Sequence, residues 1–272
     1  AAVTASVAWY RRPPPALGIA HVTVLLPEGQ VLSLANGRRA IAVSPDGSEI
    51  VYAGVPAGLY RRPLAQAEPV LIKGTEGLGR ASEPTFSPDG RTAAFHADGA
   101  IRTIASSGGG PNKIAAADAP YGMSWGPDGI VLGQGAKGIM RVAPTGGRPE
   151  MLVRVNDGEE AHGPQILPDG RHVLFTLSSG SSSDRWDKAR VVAQSLESGE
   201  RVSILEGGSD ARYLPTGHLM YARKGTVHVV AFDARRLTLD GTPRLLVEAV
   251  SQAQGGQTGS IQASVSDNGV LV

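Results

Sequence analysis

The sequence predicts an all-β chain folded as a six-bladed β-propeller of four-stranded antiparallel blades. Three observations carry this expectation: an excess of chain breakers, a recurring four-residue turn, and short apolar runs on both sides of each turn. The 272 residues include 36 glycines and 19 prolines, together 55 of 272, or about a fifth against the roughly 12% of average proteins. Without a collagen period, so many breakers exclude long helices and favour short strands joined by tight turns.

The turn appears first as Ser44-Pro45-Asp46-Gly47. It recurs as Ser87-Pro88-Asp89-Gly90, Gly126-Pro127-Asp128-Gly129 and Leu167-Pro168-Asp169-Gly170, and more loosely as Leu214-Pro215-Thr216-Gly217 and Ser266-Asp267-Asn268-Gly269. Its glycines at 47, 90, 129, 170, 217 and 269 are spaced by 43, 39, 41, 47 and 52 residues, close to the ~40–45 of a four-stranded propeller blade. The chemistry is local. Proline presets φ for the first corner of a type I turn, Asp takes the second, and glycine supplies the positive φ that returns the chain.

Taken in order, Ile41-Ala42-Val43 and Ile50-Val51-Tyr52 flank the first turn, Thr85-Phe86 and Ala93-Ala94-Phe95 the second, and Gln165-Ile166-Leu167 and Val173-Leu174-Phe175 the fourth. Each pair reads as a hairpin. Third and fourth strands follow, such as Ile101 to Ile104 with Asn112 to Ile114, Ile139 to Val142 with Met151 to Val153, and Val227 to Phe232 with Leu245 to Val247. The sixth unit shows only Ile261 to Ser266 and Val270 to Val272, while an N-terminal hairpin, His21 to Leu26 and Val31 to Leu34 around Pro27-Glu28-Gly29-Gln30, has no partner of its own. Placing that hairpin in the sixth blade closes the ring and removes its open edges. The expected organisation is therefore a membrane-proximal remnant and proline-rich spacer over 1–20, then one propeller domain over 21–272. Residues 1–10 are apolar and run into Arg11, Arg12 and Pro13 to Pro15, as at the interfacial end of a membrane helix of a longer protein.

Composition also narrows function. With 26 Lys+Arg against 25 Asp+Glu and a net charge of +1, there is no basic stripe for nucleic acid; the doublets Arg38-Arg39, Arg61-Arg62 and Arg235-Arg236 are scattered. No cysteine is present, so neither a disulfide framework nor a thiolate nucleophile is available. The glycines 133, 135 and 138 match a dinucleotide fingerprint, but the β-patterned Ile139 to Val142 follows where a helix N-terminus is needed. No G-x-S-x-G elbow, HExxH or EF-hand loop occurs.

On the quoted turns, the chain resembles TolB-like, WD-repeat-like propellers. More narrowly, LPEGQ at 26–30, GLYRRPL at 58–64, SWGPDG at 124–129, ILPDGRHVLFT at 166–176 and ARYLPTGHLMYAR at 211–223 are similar to the extracytoplasmic sensor region of bacterial membrane-anchored serine/threonine protein kinases. The resemblance covers 21–272. It implies an extracytoplasmic sensor or scaffold held near a membrane by its N-terminal segment. Kinase elements are absent from this sequence, so any such activity would lie elsewhere in a parent chain.

The loops opposite the turns are the richer in candidate ligand-binding residues. Placed there by register are Arg80, Glu83, Tyr121, Glu160, His162, Asp210, Arg212 and Gln262, with Trp186 in the polar loop Ser178 to Lys188. His162, close behind Glu159 and Glu160, is the histidine best placed for a polar ligand, and Trp186 is an indole that must pack or bind. The leading expectation is a non-catalytic propeller that presents this channel mouth to a protein, peptide or glycan, with no cofactor. The alternative is a metal-dependent hydrolase or lactonase with a divalent cation at the same mouth, for which Glu160, His162 and Asp210 are weak ligand candidates. A further option is the propeller gate of a larger peptidase.

Overall fold

The computed structural model describes residues 26–34, 37–56, 58–253 and 257–272. The expected membrane-proximal segment 1–20 and the first strand of the N-terminal hairpin up to residue 25 lie outside the described residues.

Five antiparallel sheets follow one another along the chain, four of them four-stranded and the first extended by a fifth short strand. The first blade contains β1 (Val31–Leu32), β2 (Ile41–Val43), β3 (Glu49–Val55), β4 (Gly58–Pro63) and β5 (Val70–Leu71). The second contains β6 (Ser82–Phe86), β7 (Thr92–Ala97), β8 (Ala100–Ala105) and β9 (Asn112–Ala116). The third is β10 (Met123–Gly126), β11 (Gly129–Gly133), β12 (Ile139–Val142) and β13 (Glu150–Val153), and the fourth β14 (Glu159–Ile166), β15 (His172–Ser179), β16 (Arg190–Ser195) and β17 (Arg201–Glu206). The fifth is β18 (Ser209–Leu214), β19 (His218–Arg223), β20 (Thr226–Asp233) and β21 (Thr238–Val247). The inner strands β2, β6, β10, β14 and β18 touch in succession, which makes them the wall of a central channel.

The turns form as their chemistry dictates. Gly47 N–H donates to Ser44 O at 2.9 Å with Gly47 at φ 70°, and Ser44 Oγ donates to Asp46 Oδ1 at 2.6 Å. The second turn repeats this, with Ser87 Oγ to Asp89 Oδ1 at 2.6 Å and Gly90 at φ 71°. Glycine lets the backbone adopt this positive φ without a Cβ clash.

The ring has five blades, which corrects the expected six. The N-terminal residues Val31 and Leu32 pair with Val55 and Gly54 of β3, not with the end of the chain. The reason is strand length: β3 has seven residues and β2 only three, covering Ile50 to Tyr52 and leaving the rest of that edge for β1. Residues 251–272 form isolated bridges (Gln252 with Ile261, Val265 with Leu271) in place of a sixth sheet. They nevertheless wedge between the fifth and first blades. Ile261 and Ala263 pack on Met220, Ala222 and Val227, while Val270 and Val272 pack on Val43, Ile50 and Tyr52. Hydrogen bonds from Val43 N to Ser264 Oγ and from Asp267 N to Pro45 O fasten the wedge to the first blade.

The core consists of apolar seams between neighbouring sheets. Phe95 joins blades one and two, Ile130 with Ile101 blades two and three, Phe175 with Ile139 blades three and four, and Tyr221 with Leu174 blades four and five. Glycines 133, 135 and 138 form a loop that enters strand β12, as expected from the β pattern.

Candidate functional site at the two ends of the channel

The inner strands of blades two, four and five each break register near their start, between Ser82 and Thr85, His162 and Gln165, and Ser209 and Arg212. One residue at each break has a left-handed backbone: Glu83 at φ 52°, Gly163 at 60° and Asp210 at 48°; Gly122 at 83° holds the same place in blade three. In sequence these four residues stand four positions before their turns, 83 before 87, 122 before 126, 163 before 167 and 210 before 214. A left-handed non-glycine residue is strained by roughly 1 kcal/mol or more. At Glu83 and Asp210 that strain is offset by what the side chains reach.

Both carboxylates turn inward and are almost fully buried, at 1% and 2% exposure. Asp210 accepts two hydrogen bonds from Arg39 Nη2, at 2.6 Å to Oδ1 and 2.8 Å to Oδ2, and a third from Ile261 N at 3.1 Å. Arg212 Nη2 lies 3.3 Å from Asp210 Oδ1, and Arg212 Nη1 donates to Gly163 O at 2.9 Å. Glu83 Oε1 accepts from Arg39 N at 2.9 Å and from Ser260 Oγ at 3.2 Å. His162, fully buried, meets Ser260 Oγ through Nε2 at 3.0 Å, and its Nδ1 is 3.9 Å from Asp210 Oδ1. Five segments of the ring thus meet in one polar plug.

Burial sets the electrostatics. Desolvation alone would raise Asp210, but Arg39 and Arg212 hold its carboxyl well below the usual range. Desolvation dominates at Glu83, and Arg39 offsets it only in part, so this carboxyl is pushed up. Desolvation drives His162 down to about 3, leaving a neutral imidazole. Arg212 is lowered to about 10 by burial and by repulsion from Arg39.

On the side away from the turns the plug is sealed. Trp186, 4% exposed, stacks edge-on to His162 at 5.4 Å and tilts against Tyr121 at 6.4 Å. Arg185 lies over the indole and pairs with Glu160 at 2.9 Å. Gly259 makes the close approach of the wedge feasible, since a Cβ there would lie 3.0 Å from the indole and 3.3 Å from the imidazole. A small pocket of about 40 Å³, bounded by Trp186, Thr258 and Ser260, lies at this end.

The opposite end is open. A cavity of about 410 Å³ runs from the turns, with Pro45, Pro88, Pro127 and Pro215 around its rim and Trp125 and Tyr213 in its wall, down to Arg39, Asp210 and Arg212. A shallower hollow adjoins it across Pro127, Pro168, Pro215 and Asp267.

The sequence-predicted residues are therefore divided. Glu83, His162, Asp210 and Arg212 come together in the plug, and Tyr121, Trp186 and Glu160 belong to its cover. Gln262 ties the wedge to the first blade, accepting from Ala40 N and donating to Arg38 O, both at 2.8 Å. Arg80 is exposed and outside the cluster. Sequence reasoning missed Arg39, read only as half of one of the scattered basic doublets, as well as Ser260, Trp125, Tyr213 and Asp267. The fixed interval before each turn was the available signal for the inward-facing position. As a cation site the plug fits poorly. Glu160 is committed to Arg185, the Asp210 carboxylate already faces two guanidiniums, and among the described residues no group of three His, Asp or Glu side chains is placed to hold a metal.

No family model matches the chain. Over 150 residues, half of this chain, it is 29% identical to the uncharacterized peptidase YuxL of Bacillus subtilis, of which the match covers only a fifth. Among solved structures, TolB from Acinetobacter baumannii superposes with a TM-score of 0.57 at 17% identity, over 77% of this chain and 54% of that one. An oligogalacturonate lyase in complex with manganese superposes at 0.57 with 11% identity, over 85% and 72%. The chain thus spans about half of the TolB structure and a fifth of the curated relative. Among the described residues no helix is long and apolar enough to cross a membrane. In fold, the chain is a β-propeller with TolB-like structural neighbours.

Proposed function

We propose that this chain is a non-catalytic binding propeller, a sensor or scaffold module that takes its ligand through the turn-face mouth of the central channel. The observation that carries the reading is the asymmetry of that channel: one end is filled by a buried ionic plug under Trp186, and the other opens into a cavity of about 410 Å³ walled by proline and aromatic side chains. Such a cavity is of the size and character that small ligands and peptide segments occupy. A rigid ring keeps its loops preorganised, which lowers the ordering cost of binding. The partner class is a protein, peptide or glycan. An extracytoplasmic setting, membrane-anchored through a parent protein, rests on the kinase-sensor resemblance and on the apolar segment before Arg11 and Arg12.

The rival, a metal-dependent hydrolase at the opposite mouth, is disfavoured by its donors. A dication beside Asp210 would face Arg39 and Arg212 and would have to displace at least one of them. The test is a panel of fluorescein-labelled peptides and oligosaccharides, read by anisotropy against the protein and its Trp125→Ala variant. Saturable binding that weakens about tenfold or more in the variant is expected, since one aromatic anchor contributes on the order of 1–2 kcal/mol. Binding unmoved by Trp125→Ala, or hydrolysis of panel members that depends on added Mn²⁺ or Ca²⁺, would overturn the proposal.

A further inference from the structure

The cavity has a charge polarity along its depth. At its floor, Arg39 and Arg212 face a single lining carboxylate, Asp210. Arg39 spends Nη2 on both oxygens of Asp210, yet its Nε has no hydrogen-bond partner, although the side chain is only 9% exposed. Arg212 Nη2, within ion-pair range of Asp210, likewise makes no hydrogen bond. Buried guanidinium N–H groups without acceptors are costly and unusual. The neighbouring acid, Glu83, does not line the cavity and is committed to Arg39 N and Ser260 Oγ. The floor therefore has a surplus of donors over acceptors.

The rim is the reverse. Asp267 lines the cavity and the adjoining hollow, and Asp128 lines the hollow. Neither makes an ion pair among the described residues, whereas the nearby Asp169 is committed to His172 at 2.6 Å. Partial burial without a compensating cation pushes the Asp267 carboxyl up. Between floor and rim stand Trp125 and Tyr213.

We propose that the turn-face channel selects a linear zwitterionic segment. A free carboxylate, such as a peptide C-terminus, enters first and seats on the unpartnered N–H groups of Arg212 and Arg39, and a trailing cationic side chain meets Asp267 and Asp128 at the rim. This rests on the binding role assigned above to the same mouth and deepens it by naming the ligand chemistry and its direction of entry. A guanidinium fork matches a carboxylate in a partly dry site, where charge-assisted hydrogen bonds are strongest.

The test uses short fluorescein-labelled peptides of apolar residues with one lysine, each made with a free C-terminal carboxylate, as the C-terminal amide, and with glutamate replacing the lysine. Anisotropy titration of the unmodified protein should show the free acid binding at least about tenfold more tightly than its amide, because a buried charged hydrogen bond contributes about 1.5–3 kcal/mol. Arg212→Gln should erase that difference while leaving the amide where it was, and Asp267→Asn should weaken the lysine peptide but not the glutamate one. Because the acid-to-amide ratio is measured on the unmodified protein, a failure of Arg212→Gln to fold leaves the test intact. Acid and amide binding equally, with both weakened by Trp125→Ala, would sink the polarity and keep the channel as a binding site. Binding indifferent to Trp125→Ala and to the carboxylate alike would sink both. Inorganic phosphate competing as well as the free-acid peptides would also overturn the inference, by reducing the floor to a general anion site.

Discussion

The two ends of the channel are made by the same repeat and do opposite things. The inner strands of blades two to five enter through a left-handed residue, and all five leave through a turn built on proline and glycine. The entry breaks send Glu83 and Asp210 inward, where arginines, a serine and a tryptophan close over them; the first two exit turns spend Asp46 and Asp89 on neighbouring hydroxyls and amides, and the turn prolines line the open cavity. Polarity alone therefore does not mark a binding site. The more polar end is the lock, and the end that looks purely structural in sequence is the open one.

This contrast can be broken experimentally, most forcefully at Asp210. Asp210→Ala leaves Arg39 and Arg212 buried without their carboxylate, and losing one partner of a buried pair typically costs about 3–5 kcal/mol. A urea-denaturation midpoint within error of the parent would refute the lock. Trp186→Ala comes next. Removing an almost fully buried indole should cost about 3 kcal/mol or more, with peptide affinity at the turn face unchanged; a stable variant with lost affinity would move the binding site to the sealed end.

A pH series sharpens the comparison further. His162 titrates well below an unfolded histidine, so the unfolded chain binds the additional proton between about pH 6.5 and 3, and stability must fall as pH drops through that window. The limiting slope is about 1.4 kcal/mol per pH unit. Glu83 acts in the opposite sense, since its raised carboxyl favours the fold on acidification and loses that contribution as pH rises. Urea midpoints from pH 6.5 to 4.5 should therefore depend less steeply on pH in His162→Gln than in the parent; parallel profiles would mean that the imidazole is not held neutral. At the open end effects on stability shrink. Trp125→Ala, at a half-buried site, should cost only about 1 kcal/mol while lowering ligand affinity. Smallest of all, Glu160→Ala removes a partly exposed pair with Arg185 and should change stability by no more than about 1 kcal/mol.

The turns and most strands were legible in the sequence because their causes are local: proline φ, an aspartate acceptor and a glycine return within four residues. The blade count was not. Whether Val31 and Leu32 join the end of the chain or the free edge of β3 depends on relative strand lengths, which no local pattern encodes. Likewise Glu83, His162, Asp210 and Arg212 were identified, but their burial was not, because it depends on the break in the inner strand and on the 251–272 wedge arriving over them. Arg39 was hidden by its neighbour; a doublet at 38–39 looks solvated until Arg38 is seen donating to Pro120 O and Arg39 to Asp210. Trp186 is buried, which only the contact with His162 and Gly259 determines.

The left-handed residue at the entry of four inner strands has a consequence for variation. Blades two to five fill that socket with Glu83, Gly122, Gly163 and Asp210, two acids and two glycines, on one backbone conformation. The glycines are spacers: a Cβ on Gly122 would lie 2.7 Å from the Gly163 Cα, and one on Gly163 would lie 3.1 Å from Asp210 Oδ1. The charge at the axis is therefore set at this one socket: acids supply it in blades two and five, and in blades three and four the space that a side chain would need is already taken by the neighbouring blade.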